Sequence, residues 1–586
     1  MGEGRHAEAV ALLENALRDA PGDAEVCQLL ANLALQRGNA HEALWHLDAI
    51  RSAAAAETQF MRAQALVKLG HIDEALAAYR ALHQAFPRFA AGHAAFGTLL
   101  LGRGRRDEAI EVLREANKLD PQSAVILNNL GHALRDVGEM REATAAFAAA
   151  HVRAPEFVDT CQSRLFCMHY LPEVTPEEIF TVAREYNRLY AAPLAGASLP
   201  HPNVPQPERP LRIGYVSGDF KRHPVGYFID PVIEHHDRTR FSVFCYSTQG
   251  QNDDLTTRIA ARADIWKAVE HLDAAALAAE IRADGIDILV DLSGHTHGAR
   301  LLTFARRPAP VQATWLGYLD TTGLDAIDYM IVDPLFLPPA ESRYCMSETP
   351  LVLPRSYLCY RPPEYAPDVL PLPALGKGTL RFGCFNNLAK LNEAVISLWA
   401  RLLKTVPDAT LALKTYSLSH QRSRDWVVKR FAAHGVAAGR LALDGGVPHD
   451  ELLAAYGEID IALDPFPYTG GLTTLEALWM GVPVVTLAGD TLLGRMGVTC
   501  LANAGLAEFV AATADDYVEI ARRCARDLPR LAQLRAQMRG RLSQTTLFDG
   551  AAFTRDLESG YRQAWRRWCE EVAQHDAGSP LVRGIK

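Results

Sequence analysis

Gly4, Gly38, Gly70, Gly104 and Gly138 stand 34, 32, 34 and 34 residues apart, and each is followed five positions later by an alanine, at Ala9, Ala43, Ala75, Ala109 and Ala143. Pro21, Pro87, Pro121 and Pro155 close four of the five units. A step of this length is the period of a helix–turn–helix repeat. Glycine permits the tight turn between two helices, alanine lets the second helix lie close to its neighbour, and proline cannot continue that helix. One hairpin leaves an apolar face uncovered, so the units must stack into a solenoid. Residues 1–155 are therefore expected to be helical throughout, with apolar positions three and four apart, as in Ala109-Ile110-Val112-Leu113. The first glycine falls at residue 4, so the chain is expected to open halfway through a unit, with a helix preceding it.

The repeats leave some 430 residues for other work, and a chain of 586 residues is long enough for about two to four domains with cores of their own. Hydrophobic content of 49% and charged content of 22% are those of an ordinary globular protein. A formal charge of −9 without long runs argues against a nucleic-acid backbone as partner. The ten cysteines are scattered with no CxxC pair and no zinc-type spacing with histidine, which reads as reduced thiols in a cytoplasmic protein. No apolar run reaches transmembrane length and the N-terminus opens on charged residues, so neither a membrane partner nor a signal peptide is expected.

Residues 156–205 keep a helical pattern at first but lose the repeat, as a helical connector would, and the Pro-rich stretch from Leu199 to Pro207 marks a domain boundary. From Leu211 the pattern changes to short apolar strands alternating with helices: Leu211–Val216, Phe241–Tyr246 and Ile286–Val290. A second Pro-rich passage, Tyr360 to Pro373, precedes a second alternating region that starts at Leu380–Phe385 and runs to Pro483–Leu487. Such alternation implies a parallel sheet covered by helices on both faces. The predicted architecture is an α-helical solenoid (1–155), a helical connector (156–205) and two Rossmann-like doubly wound domains (206–365 and 366–586), the last ending in helices from about residue 515. Ligands on such sheets bind beyond the carboxyl ends of the strands, and tandem sheets make a cleft that suits a nucleotide.

Three strand-end segments carry the candidate chemistry. Thr469-Gly470-Gly471-Leu472-Thr473-Thr474-Leu475-Glu476 follows the strand-like run Ile459–Asp464 and opens a helix. Glycines, two hydroxyls and free backbone N–H groups at a helix N-terminus form an anion site, with Glu476 placed to reach a sugar hydroxyl. The competing reading is a helix whose Thr473 caps its own backbone. Lys390, in Phe385-Asn386-Asn387-Leu388-Ala389-Lys390, can neutralise a departing diphosphate; the alternative is a solvated surface lysine. Ser217-Gly218-Asp219-Phe220-Lys221-Arg222-His223-Pro224 offers His223 for proton handling and Asp219 to orient it. His295 and His297 are weaker candidates for a metal, with no third ligand evident in the sequence, and no metal is expected at the site.

Taken together, these segments resemble the O-linked N-acetylglucosamine transferases, glycosyltransferases that carry tetratricopeptide repeats and modify Ser and Thr of proteins. The resemblance runs from the repeats to about residue 560 and rests on Gly218-Asp219-Phe220 with His223-Pro224, Pro308-Ala309-Pro310-Val311-Gln312-Ala313-Thr314-Trp315-Leu316-Gly317-Tyr318, Phe385–Lys390, and Leu478-Trp479-Met480-Gly481-Val482-Pro483. It implies a metal-independent GT-B pair without cofactor, with UDP-N-acetylglucosamine (UDP-GlcNAc) lying mainly on the second domain, and inversion by direct attack of the acceptor hydroxyl. By the same resemblance Lys390 stabilises the leaving group and Asn387 contacts the donor. Thr473 and Thr474, with Gly471 and Leu472, hold the β-phosphate, and Glu476 takes the ribose. Gln312, Leu316, Gly317 and Pro224 line the donor pocket, and His223 and Asp219 match positions tied to proton handling or donor contact.

The chain departs from the animal enzymes in ways that bear on these assignments. Gly471-Leu472-Thr473 stands where they have His-Thr-Thr, which leaves the register of the threonines open by one residue. Asn387 stands where they have Gln, and His449 falls near their ribose-contacting Lys. Their long insertion between catalytic domains is absent and the repeat array is shorter, a pattern like that of bacterial members. A protein or peptide acceptor bound along the repeat groove is the implied partner. Two other readings remain open: a repeat adaptor with a UDP-binding but silent GT-B unit, and a transferase that uses UDP-glucose or an Asn acceptor.

Overall fold

The computed structural model describes residues 2–50, 55–195 and 200–578, and the chain forms two compact units, Met1–Thr160 and Cys161–Lys586. The first is all-helical: α1 (Gly2–Asp19), α2 (Ala24–Gln36), α3 (Ala40–Asp48), α4 (Ala56–Lys68), α5 (Ile72–Ala85), α6 (Ala90–Gly102), α7 (Arg106–Leu119), α8 (Ala124–Asp136) and α9 (Met140–Arg153). Gly38, Gly70, Gly104 and Gly138 take φ of +80°, +79°, +71° and +88° at the turns inside each hairpin, a conformation that costs other residues strain. Ala43, Ala75, Ala109 and Ala143 are completely buried at the helix contacts. The helices of a hairpin approach so closely that a Cβ on Gly97 would lie 2.5 Å from Leu113, and one on Gly131 2.7 Å from Phe147. Gly4 departs from the pattern: the backbone of α1 runs through it as helix, because glycine permits a turn without imposing one.

The second unit contains two all-parallel sheets. The first has strands β1 (Leu211–Ser217), β2 (Phe241–Ser247), β3 (Ile265–Ala268), β4 (Ile288–Asp291), β5 (Val311–Thr314), β6 (Tyr329–Val332) and β7 (Thr349–Val352), in the order β3-β2-β1-β4-β5-β6-β7. The second has β8 (Arg381–Cys384), β9 (Thr410–Lys414), β10 (Leu441–Asp444), β11 (Ile461–Leu463), β12 (Val484–Leu487) and β13 (Val510–Ala511), in the order β10-β9-β8-β11-β12-β13. Both are doubly wound, and the direction of winding reverses between β1 and β4 in one and between β8 and β11 in the other. Their strands are buried along almost their whole length near these switch points, as parallel strands sandwiched by helices must be.

The connector and the tail both join the first sheet. Arg184 donates to the Gly323 carbonyl and to Asp325, and Asn187 also donates to Asp325, which fixes the helix Pro176–Tyr186 and its continuation onto the loop after β5. Leu199, with which the Pro-rich boundary stretch starts, lies outside the described residues. The assignment of the whole C-terminal tail to the second domain is corrected: the 29-residue helix Gly550–Gly578 packs on the first. Trp565 Nε1 donates to the Gln206 carbonyl, Arg562 to those of Pro207 and Arg209, and Tyr561 meets Tyr215 at 3.1 Å. The reason is chemical: a helix face bearing Tyr561 and Trp565, both fully buried, has apolar area to cover that local sequence does not supply.

The left-handed turns can be tested directly. Gly70 has open space around its would-be Cβ, so Gly70→Ala bears only the backbone cost, about 1 kcal/mol. Thermal unfolding of the repeat unit should fall by about 2–4 °C, and an unchanged midpoint would show that the turn is not held left-handed.

Candidate functional site

Four loops converge at the two switch points: those after β1, β4, β8 and β11. Three of them carry the segments singled out from the sequence. In the second domain, Lys390 closes the short 3₁₀ turn Leu388–Lys390 that follows β8. Its Nζ donates to Asn386 Oδ1 at 3.1 Å and to the Thr469 carbonyl at 2.8 Å, and lies 4.2 Å from the centre of the Tyr468 ring. Among the described residues no carboxylate is ion-paired with it. Removal from water pushes the amine down to about 8, opposed by the nearby Asp464. Lys390 is thus a half-buried, positioned cation and not a solvated surface lysine. A small cavity lined by Cys384, Asn386, Leu388, Trp399 and Thr415 adjoins it.

The loop after β11 is shaped by Asp464. Its Oδ1 accepts from the Gly470 N–H at 2.7 Å and its Oδ2 from the Thr486 hydroxyl at 2.7 Å. Burial raises this carboxyl to about 7. A Cβ on Gly470 would lie 2.7 Å from both the Thr473 and Thr474 hydroxyls, so only glycine fits against the pair. Helix Leu472–Trp479 begins here with Gly471 at its N-cap and no side-chain cap. Thr473 does not satisfy its own backbone: its hydroxyl donates to Asn386 Oδ1 at 3.0 Å, the same oxygen that holds Lys390. The Thr474 hydroxyl is buried and has no hydrogen-bond partner among the described residues. Uncapped first-turn N–H groups, an orphaned hydroxyl and a cation linked through one amide oxygen form an anion site.

Glu476, only 2% exposed, accepts from His449 Nε2 at 2.7 Å, and the burial that raises its carboxyl is opposed by that bond. His449 Nδ1 meets the Tyr365 hydroxyl at 2.7 Å and that of Tyr227 at 3.2 Å. Tyr227 belongs to helix Pro224–His235 of the first domain, so this chain of contacts links both walls of the cleft.

On the first wall, His223 is the N-cap of that helix, and its Nδ1 accepts from the Val225 N–H at 3.4 Å. Asp219 Oδ2 lies 3.6 Å from the same nitrogen, too far for a hydrogen bond. Val225 therefore holds the ring, with Asp219 as its neighbouring carboxylate, and in the neutral ring Nε2 carries the proton. Burial lowers the His223 imidazole, and Asp219 acts against that shift. Pro224 is exposed at the first helical position. Leu316 adopts φ +68°, a strained choice for a branched side chain, and a Cβ on Gly317 would meet the Leu292 carbonyl at 1.9 Å. This close approach locks the loops after β4 and β5 together.

One expectation fails. Gln312 is fully buried, with Nε2 donating to the Phe304 and Ala326 carbonyls, so its side chain serves the interior and not a donor pocket. Asn387 is exposed, with its Oδ1 capping Ala389, while the neighbouring Asn386 accepts from both Lys390 and Thr473. His295 is buried with Nε2 against the Thr322 carbonyl at 2.7 Å, whereas His297 is exposed, so the two do not form one metal site. Tyr468, Tyr227 and Tyr365 join the site unannounced by any motif, and Asn386 and Asp464 lie in segments already singled out but carry no role assigned from the sequence.

Comparison with known proteins matches residues 196–360 and 373–557 to a family model described as glycosyl transferase family 41, and residues 1–67 and 66–126 to a tetratricopeptide repeat model. A protein of Solanum lycopersicum described as a probable UDP-N-acetylglucosamine–peptide N-acetylglucosaminyltransferase SPINDLY is 40% identical over 425 residues, 71% of this chain and 45% of its own. An Arabidopsis thaliana protein with the same enzyme description, SEC, is 31% identical over 62% of this chain and 38% of its own. The chain thus spans less than half the length of these relatives. The solved structure of a mutant O-GlcNAc transferase of Thermobaculum terrenum superposes with a TM-score of 0.80 at 38% identity, covering 89% of this chain and 99% of that one.

Asp464→Ala would leave the Gly470 amide and Thr486 hydroxyl buried without an acceptor, at a cost of about 2–4 kcal/mol. Differential scanning calorimetry should show the α/β unit melting earlier with the repeat transition unmoved; equal stability would mean that the loop is ordered by other contacts.

Proposed function

The chain belongs to glycosyl transferase family 41, and on that premise we propose that it transfers N-acetylglucosamine from UDP-GlcNAc to Ser or Thr hydroxyls of protein acceptors, with inversion and without a metal. The observation that carries this reading is the shared Asn386 oxygen, which ties the Lys390 ammonium to Thr473 at an uncapped helix N-terminus. A diphosphate placed there would accept from the first-turn N–H groups and the Thr474 hydroxyl, and the ammonium would offset the charge that grows as the sugar–oxygen bond breaks. A positioned lysine and a helix N-terminus supply the charge stabilisation for which other transferases use a divalent ion. In a single displacement the acceptor oxygen bonds to the anomeric carbon, the UDP oxygen leaves, and the hydroxyl proton passes to a base.

His223, with Nδ1 held by Val225, is set to donate from Nε2; it accepts a proton there only in the other tautomer. Asp219 is the adjacent carboxylate. The nucleoside ribose would meet His449 and Glu476 as a bonded pair, not Glu476 alone. The repeat array is assigned to the protein acceptor, and the ten free cysteines fit a cytoplasmic setting.

Calorimetric titration with UDP-GlcNAc, UDP-glucose and GDP-sugars in EDTA tests the donor: selective UDP-GlcNAc binding supports the reading, and preference for another nucleotide sugar replaces the donor. Tight UDP binding with no labelled sugar passing to lysate proteins would favour the adaptor reading. Lys390→Ala should lower turnover by about 10²–10³-fold with UDP still bound, and unchanged turnover would remove its role. A bound diphosphate favours the charged amine, so its proton affinity rises. UDP binding at pH 8.5, above the free value of about 8, should therefore take up a proton, measurable as buffer-dependent heat; at pH 6.5 the uptake should vanish.

A further inference from the structure

His93, in the first turn of α6, is completely buried, and neither ring nitrogen has a hydrogen-bond partner among the described residues. Carbonyls of Pro87 and Phe89 favour its charged form without bonding it at ordinary geometry. Buried polar atoms are seldom left so, and each exception asks for a reason. His83, in the last turn of α5, packs edge-on against it with ring centres 4.3 Å apart, and its Nδ1 is also buried without a partner. His83 Nε2 lies 3.6 Å from Glu115 Oε2 of α7. One ligand atom from each of these three residues lies within 4.8 Å of the others.

We infer that His83, His93 and Glu115 form a binding site for a divalent transition metal of the zinc class, set at the seam between successive repeats. The donor set decides the class: two imidazoles and one carboxylate suit zinc, cobalt or nickel, whereas calcium and magnesium prefer oxygen alone. Around a tetrahedral ion with bonds of about 2.0–2.1 Å the ligand atoms stand roughly 3.3 Å apart. The cluster thus needs to close by up to about 1.5 Å. Glu115 is exposed and His83 half-buried, so both can rotate toward the fixed His93. Exposure of Glu115 leaves the solvent side open for a water as fourth ligand.

The plainer account is an aromatic cluster, since His83 also lies 6.2 Å from Phe96. A phenyl ring at position 93 would pack equally well there without orphaned nitrogens, so packing alone does not explain the choice of histidine. Burial, with His83 nearby, lowers the His93 imidazole against the opposing pull of Glu115, the direction that favours the neutral, ligating form. Occupied, the site ties the second helix of one repeat to both helices of the next. Stability in such arrays resides largely in these interfaces.

The test uses the tag-free full chain, stripped with EDTA and dialysed. Titration with zinc chloride should show one equivalent bound, and cobalt chloride should give the intense visible bands of a tetrahedral site. Glu115→Gln should weaken zinc at least tenfold. His93→Phe should abolish the bands while leaving the repeat melting point in EDTA unchanged or higher. If the wild type binds zinc no better than His83→Ala, or if the cobalt spectrum of all three variants is the same as that of the wild type, the proposal is overturned.

Discussion

A lysine ammonium taken half out of water, and held by neutral oxygens alone, is what the second domain is organised around. Lys390 leans on an amide oxygen, a carbonyl and an aromatic face. Such a group is uncomfortable without a counter-charge, and its lowered proton affinity records that discomfort. The cation keeps its place because the surrounding loop is rigid. Asp464 ties down Gly470 and Thr486, its carbonyl accepts from Tyr517, and the Thr469 hydroxyl donates to the Leu493 carbonyl. The geometry is thus built in advance of the anion it suits, which is how electrostatic stabilisation avoids reorganisation during a reaction.

Two sheets of the same winding place their switch points in one cleft, and much of that was legible in the chain. β1, β4, β8 and β11 announce themselves as apolar runs ending in Gly, Asp or Asn clusters, and three of those ends carry the chemistry that their composition implies. What was not legible depends on which way a side chain turns. Asn386 and Asn387 are adjacent and chemically identical, and only the turn after β8 decides which reaches the lysine. Gln312 sits in a motif shared with known transferases, yet its position on β5 points its amide into the interior. Tyr227 and Tyr365 reach His449 across 222 and 84 residues, separations at which no local pattern speaks.

The repeats show the same division. Their turns and helix contacts follow from glycine and alanine at fixed intervals, because backbone sterics act within a few residues. His83, His93 and Glu115 fall on three different helices, so their spacing resembles no short metal motif. Only the stacking of one hairpin on the next brings them together.

The last helix carries a consequence for how the molecule is made. Gly550–Gly578 supplies Tyr561, Arg562 and Trp565 to the first sheet's domain, whose own strands were completed some two hundred residues earlier. On the ribosome, that domain must wait with part of its surface bare until the whole second domain has emerged. Synthesis order and assembly order are therefore interleaved. Gly550–Gly578 acts as a latch that closes over an earlier part of the chain, so a translation product interrupted before it would expose the very face that this helix hides.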